Sequence, residues 1–248
     1  MINKNDLPTD DILIGKVVQA WAENQNIRCH YFHKTGSTNN DAKQFLLEEK
    51  NTDAVELFLT EEQTSGKGRY HNGQQRIWLS PKMGSSLLSS WVFQSTHVPT
   101  PFLTAKLGIN LHNALKSVWP FLDWNLKAPN DVFLKNKKIA GLLVETVSEG
   151  NKHHIIVGLG LNVFHSPKEL DLSSNIARDL KTLNLPLLGD DFIQFLDRWL
   201  FEMTISISTA HEELTEVQKY SMLHQFNQSK LLTKPYIDFN QLQEDLWL

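Results

Sequence analysis

The chain has 248 residues, 41% of them hydrophobic and 21% charged, enough apolar material for a sizeable core in one large domain or one and a half. Its formal net charge of −4 excludes nucleic-acid binding through a general basic field, though not local cationic pockets. A single cysteine, Cys29, excludes an internal disulfide, and neither a signal core nor a membrane-spanning apolar run is present, so a cytoplasmic protein without membrane contact is expected.

In chain order, residues 27–33 alternate and are rich in aromatics, predicting a first strand. The segment from Gly36 offers several helix N-caps ahead of Ala42, Phe45 and Leu46, predicting a helix over 39–50. Strands follow at 55–60 and 85–93. Leu103, Leu107, Leu111 and Leu115 form a helical stripe within 102–119, with Pro101 near its start. Short strands are expected at about 122–127, 131–135 and 139–147, with a polar turn from Lys135, and another at 154–161. After Ser173 the pattern turns helical: Phe192, Phe195, Leu196, Trp199, Leu200 and Met203 define one helix, and 213–226 another. The last twenty residues lack a clear pattern, but Tyr236, Ile237, Phe239, Leu242, Leu246 and Trp247 suggest a tail that docks. Consecutive strands able to pair as hairpins point to an α+β or mixed α/β fold rather than a regular βαβ array.

Four clusters carry groups suited to chemistry. Residues 60–78 hold Gly66, Lys67, Gly68, Arg69, Arg76 and Trp78 in a long loop. Glycines alternating with cations make an anion cradle of backbone N–H and side-chain donors, whereas an ordinary hairpin would simply solvate them. It is no Walker loop, because Glu61 stands five positions before Gly66 and Gly68 follows Lys67; no dinucleotide fingerprint is present either. Residues 126–132 place Lys127 before, and Asp131 after, a Pro129-Asn130 turn. Asp131 could hold a divalent metal with a nucleotide or polarise a hydroxyl; a plain tight turn is the alternative. Lys138 enters an apolar strand in which Gly141 leaves room for a ligand, or the strand simply begins with solvated lysines. Gly158 and Gly160 interrupt another strand that ends at Asn162, either to relieve crowding or to permit close approach. Cys29 reads as a buried structural thiol, and the histidines have no metal-ligand spacing.

Taken in order, these clusters resemble the catalytic domain of biotin protein ligases. That family carries Ser-Thr-Asn, then Q-x-x-G-[RK]-G-R with a later Arg and Trp, K-W-P-N-D, K-[IL]-[AG]-G-[IVL]-L-[VI]-E and G-x-G-x-N. Here stand Ser37-Thr38-Asn39, Gln63 to Arg69 with Arg76 and Trp78, Lys127 to Asp131, Lys138 to Glu145, and Gly158 to Asn162. The order holds over about residues 30–165.

The resemblance implies a mixed β-sheet flanked by helices, on one side of the sheet, in a class II synthetase-like fold with the 66–76 loop largely disordered when empty. It implies biotin, ATP and Mg2+ as substrates and cofactors, biotinoyl-5′-AMP as intermediate, and transfer to a lysine of a biotin carboxyl carrier domain. Lys138 and Arg69 would be catalytic. Ser37, Thr38, Asn39, Gln63, Gly66, Lys67, Arg69 and Gly141 would bind biotin. Arg69, Arg76, Trp78, Asn130, Asp131, Lys138 and Asn162 would bind the nucleotide, with Asp131 on Mg2+. The expected division is a catalytic domain over 1–210 and a helical or irregular tail over 211–248 in place of a complete small β-barrel. No N-terminal DNA-binding domain and no DNA partner are expected, and a homodimer is compatible with the resemblance. Ala128 departs from the motif's Trp, Lys67 from its commoner Arg, and six residues separate Arg69 from Arg76. The competing readings are a non-catalytic binder of biotin or its adenylate, and a ligase for another acyl cofactor such as lipoate.

Overall fold

The computed structural model describes residues 12–48, 55–71, 74–167, 174–183 and 189–247. The last two residues of the helix expected over 39–50, and residues 72–73 of the long loop, lie outside these.

Seven strands form one sheet: β1 (Arg28–Phe32), β2 (Glu56–Thr60), β5 (Ser86–Ser95), β6 (Trp124–Lys127), β7 (Asp131–Leu134), β8 (Lys137–Glu149) and β9 (Lys152–Asn162). Their spatial order is β1-β2-β5-β9-β8-β7-β6. β1 and β2 run parallel and all other neighbours antiparallel, so the sheet is mixed. The remaining strands, β3 (Gly66–His71) and β4 (Gln74–Trp78), pair as a separate hairpin. The disordered loop expected here is thus corrected to a two-stranded ribbon; its glycines and cations obscured the alternation of a strand.

Because successive strand residues face opposite sides, the sheet sorts its side chains cleanly. Leu57, Leu59, Trp91, Phe93, Val157 and Leu159 enter the main core, which is covered by helices α1 (Ile14–Asn24) and α3 (Leu103–Val118). Helix α5 (Asp190–Ser208) packs on α3 through a stripe that includes Phe192, Phe195, Leu196 and Trp199, all fully buried. Each such side chain contributes about 1.5–3 kcal/mol by leaving water. Phe58, Val92 and Ile156 face the other way and meet Ala42 and Leu46 of helix α2 (Thr38–Glu48). Helices therefore flank both faces, correcting the one-sided arrangement expected. The apolar residues of α2 are too few to announce a covering helix, yet they suffice for a short strip of sheet.

Helix α1 is not among the elements expected from sequence. Its buried Ile14, Val18, Trp21 and Ala22 recur at helical spacing, but Leu13 supplies no capping side chain. The cap comes from a distant residue: the Glu61 carboxylate accepts hydrogen bonds from the Gly15 and Lys16 amides, both at 3.1 Å. An anion at a helix N-terminus satisfies otherwise unpaired donors and the helix dipole together. Helices α4 (Ile176–Thr182), α6 (Glu216–Asn227) and α7 (Phe239–Trp247) complete the described chain. Leu242 and Leu246 dock α7 into the main core.

Candidate active site

The face that α2 only partly covers carries a cavity of about 570 Å³ roofed by the β3–β4 hairpin. This volume lies within the range of small-molecule and cofactor sites. Strand alternation puts Asp131 and Phe133 of β7, Gly141 and Leu143 of β8, and Gly158 and Gly160 of β9 on its floor. Lys138 joins them through an irregularity. Between Val132–Ala140 and Phe133–Lys138 the register slips by one residue, so Ile139 and Ala140 both enter the core while Lys138 turns to the cavity. Such a bulge re-aims a side chain without breaking the sheet.

At its inner end the cavity is uncharged and buried. Ser37, Thr38 and Asn39 are each 2–3% exposed. Gln63 accepts from the Thr38 amide at 2.9 Å, capping α2 with its side-chain carbonyl; its amide NH2 remains a donor for the space it lines. Asn39 also lines the cavity, but its groups are engaged. Nδ2 donates to Glu145 at 2.8 Å and to the Leu143 carbonyl, and Oδ1 meets Ser90 Oγ at 2.5 Å. It holds α2 to β8 and β5. Gly158 has no Cβ because Asn39 Oδ1 occupies that space, and at Gly160 a Cβ would stand 2.5 Å from the Trp78 indole. The two glycines let helix and hairpin lie directly on β9.

Charge concentrates further out. Lys138 Nζ lies 2.7 Å from Asp131 Oδ1 and 5.8 Å from the centre of the Trp78 ring. Arg69 and Arg76 project from the hairpin, and Lys127 from the end of β6, into the same cavity. Lys67 also lines it, with its ammonium 3.0 Å from Asn40 Oδ1. Burial pushes the Arg69 guanidinium below its usual pKa; Asp131 opposes that shift and Arg76 adds to it. The buried indole N–H of Trp78 has no hydrogen-bond partner among the described residues, a donor beside the cations. Among the described residues no three His, Cys, Asp or Glu side chains group as a metal site.

Two of the expected residues stand outside the lining. Gly66 is set by the hairpin, since a Cβ there would meet the Trp78 carbonyl at 2.6 Å. Asn162 lies beyond the floor, its Nδ2 donating to the Ser174 carbonyl at 3.1 Å, so the glycines of its motif, not the Asn side chain, face the cavity. Asn130 lines the cavity while its Nδ2 bonds the Leu142 carbonyl, tying the β6–β7 turn to β8. Conversely, Leu231, Leu232, Tyr236 and Asp245 complete the wall. Phe239, Leu242 and Leu246 already carry helical spacing that could have announced α7. Nothing local in the sequence indicates where that helix docks. Cys29 is half-buried on β1, and burial pushes its thiol up to about 11, so it is protonated at neutral pH and unsuited to nucleophilic work.

Comparison with known proteins agrees with this geometry. The sequence model of the biotin/lipoate A/B protein ligase family matches residues 31–162. The biotin--[acetyl-CoA-carboxylase] ligase of Mycobacterium tuberculosis is 32% identical over 155 residues, covering 59% of this chain and 53% of that protein. The human biotin--protein ligase is 29% identical over 146 residues, 55% of this chain and 20% of that one. The chain thus spans about half the length of the first relative and a fifth of the second. In fold it matches the Aquifex aeolicus biotin protein ligase solved with biotin and ATP, with TM-score 0.58, 23% identity and coverage of 80% of this chain and 78% of that one. The Leishmania major enzyme solved with biotinyl-5-AMP gives TM-score 0.61 at 20% identity, covering 84% of each chain. Among the described residues no helix is long and apolar enough to cross a membrane. With more than half its length under the family's sequence model, and that half folded into the sheet, hairpin and cavity just described, the chain belongs to the biotin/lipoate A/B protein ligase family.

Proposed function

We propose that the chain is an ATP-dependent biotin protein ligase, with its catalytic domain over 1–210 and residues 211–248 as a helical C-terminal appendage. The observation that carries this reading is the layout of the cavity. A buried, uncharged inner end, suited to the ureido ring and apolar body of biotin, opens onto the Asp131–Lys138 pair and four further cations, Lys67, Arg69, Arg76 and Lys127. Ser37, Thr38 and Gln63 would hold the ring, with Asn39 fixing helix α2, at whose N-terminus all three meet. The biotin carboxylate would then point toward Lys138 and Arg69.

In the first step a carboxylate oxygen of biotin attacks the α-phosphorus of ATP. A C–O–P linkage forms, the bond between the α-phosphorus and the bridging oxygen breaks, and pyrophosphate leaves with the bonding pair. Two anions must approach, so Lys138, Arg69 and Arg76 lower the barrier by opposing their repulsion and the charge that develops. Asp131 is the residue that would hold Mg2+. A magnesium site built from one carboxylate and the nucleotide's own phosphates fits a cavity where, among the described residues, no three His, Cys, Asp or Glu side chains group together. In the second step the neutral ε-amine of a lysine on a biotin carboxyl carrier domain attacks the acyl carbon; an amide forms and AMP leaves. No enzyme nucleophile is required, consistent with the protonated Cys29.

The test is biotin-dependent exchange of labelled pyrophosphate into ATP, followed by mass spectrometry of a carrier domain incubated with protein, biotin and Mg-ATP. Wild-type protein is expected to do both. Lys138→Ala should lower exchange by about 10²–10³-fold with an unchanged melting temperature. Near-normal exchange in that variant would sink the assignment.

A further inference from the structure

The cavity has a wall that lies outside the family-matched segment. Leu231, Leu232, Tyr236 and Asp245 line it from the C-terminal side, and the chain is fastened there at several points. The Lys230 amide donates to Asn125 Oδ1 at 2.8 Å, on β6. Asn227 clasps Tyr236 through both backbone groups, at 2.9 and 2.8 Å. Helix α7 is seated by Leu242 and Leu246 and by Phe102, whose ring lies 5.6 Å from Phe239 and 5.2 Å from Trp247. At its end the Leu246 carbonyl accepts from Arg69 Nη2 at 3.2 Å. A guanidinium at the carbonyl end of a helix complements the dipole, so α7 and the roofing hairpin are locked together.

Asp245, one residue before that carbonyl, is the informative group. The cavity otherwise gathers cations, and its other carboxylate, Asp131, is paired with Lys138 at 2.7 Å. Asp245 has no ion pair among the described residues; its Oδ2 accepts a 2.6 Å hydrogen bond from the Tyr236 hydroxyl, which leaves Oδ1 as an acceptor. A carboxylate so placed repels phosphate and the biotin carboxylate alike and attracts hydroxyl donors. In ATP the hydroxyls are on the ribose, and the ribose adjoins the α-phosphate. Asp245 in turn adjoins the residue whose carbonyl holds Arg69, one of the cations assigned to that phosphate.

We propose that the C-terminal segment 231–247 is the nucleoside-reading wall of the site, with Asp245, oriented by Tyr236, accepting hydrogen bonds from the ribose hydroxyls of ATP. This rests on the ATP-dependent reading above and adds residues that the family's motifs do not contain. The test is calorimetric binding of ATP, 2′-deoxy-ATP and 3′-deoxy-ATP to the protein saturated with the alcohol analogue of biotin, which lacks the attacking carboxylate, alongside pyrophosphate exchange with biotin itself. Wild type should prefer ATP over at least one deoxy form by about tenfold or more, the worth of a charged hydrogen bond. Asp245→Ala should lose that preference by weakening ATP alone, with biotin affinity unchanged. Tyr236→Phe, which keeps the carboxylate but releases it, should reduce the preference by a smaller factor. Equal weakening of ATP and its deoxy forms in Asp245→Ala would assign the residue to seating α7 and overturn the proposal. Wild type that binds ATP without discriminating the deoxy forms would also overturn it, and would leave the ligase reading standing. Ribose discrimination without biotin-dependent exchange would do the reverse.

Discussion

Gly160 lies on β9 where an added methyl group would meet the Trp78 indole at 2.5 Å, with a second ring atom at 2.6 Å. The indole cannot retreat freely, because its own backbone pairs with Gly66 across the hairpin. Overpacking of this kind costs about 1–3 kcal/mol, and here it displaces a side chain from the half of the cavity proposed for the nucleotide. Gly160→Ala is therefore expected to raise the KM for ATP about tenfold while changing the KM for biotin less than twofold. Steady-state exchange kinetics with each substrate varied would check this, and equal shifts in both constants would contradict it. At this scale much was legible in the sequence. Lys138, Asp131, Arg69, Arg76, Gln63 and Trp78 come to one cavity, as their shared motifs in chain order led one to expect. Asn162 and Gly66 stand outside it because a motif tells which residues travel together, not which of them faces the ligand. In one case Asn162 shares the strand face of Gly158 and Gly160 but stands at the very end of β9, past the lined floor and bonded to the Ser174 carbonyl; in the other the hairpin needs the glycine for itself.

The hairpin β3–β4 is the element whose behaviour differs most from its sequence. Its glycines and cations read as a loop, because strand propensity depends on packing against a surface, and the surface here is supplied by β8 and β9. Helix α7 escaped notice for the opposite reason. Its spacing is helical, but nine residues are too few to be stable without a docking site, and that site comes from Phe102 and the hairpin. The two elements meet at Arg69, which reaches both the Leu246 carbonyl and the cavity. Arg69→Gly removes both contacts. A charged hydrogen bond to an adenylate is worth about 1.5–3 kcal/mol, so preformed biotinoyl-5′-AMP should dissociate on the order of 10–100-fold faster and label bystander lysines on an unrelated protein. Arg69→Lys keeps the charge without the planar fork and should fall between the two. The readout is adenylate release by filter binding, together with biotin transferred to the bystander. Unchanged release in Arg69→Gly would remove the hairpin from any role in retaining the intermediate.

At the scale of the whole molecule, the sheet divides labour between its faces. One face is closed by α1 and α3, with α5 behind; the other is given to α2, the hairpin and the ligand cavity. The family-matched segment, residues 31–162, contains the sheet apart from the first three residues of β1 and most of the cavity, while α1 and α5 lie outside it and close the core. The tie between α1 and that segment is Glu61, 1% exposed. It sits at the end of β2 and bonds the Gly15 and Lys16 amides and the Tyr31 hydroxyl, the last at 2.8 Å. Burial, and then this hydrogen bond, raise the Tyr31 pKa above its ordinary value, so the phenol stays neutral and donating throughout the physiological range. Glu61→Gln preserves the volume but removes the anion from the helix N-terminus and sets an amide NH2 against donors. Loss of the dipole interaction and of at least one charged hydrogen bond should cost about 2–3 kcal/mol, or roughly 4–12 °C in melting temperature for a domain of this size. Because Glu61 is not among the residues lining the cavity, the KM values for biotin and ATP at a temperature well below the transition should change less than twofold. Scanning calorimetry and exchange kinetics on the same preparation separate the two effects. An unshifted melting temperature would mean that the apolar face of α1 and its remaining hydrogen bonds, Ile14 to the Gly84 carbonyl and Trp21 to Asp197, hold it without the anion; a shifted KM would mean that closure of the core face reaches the site across the sheet.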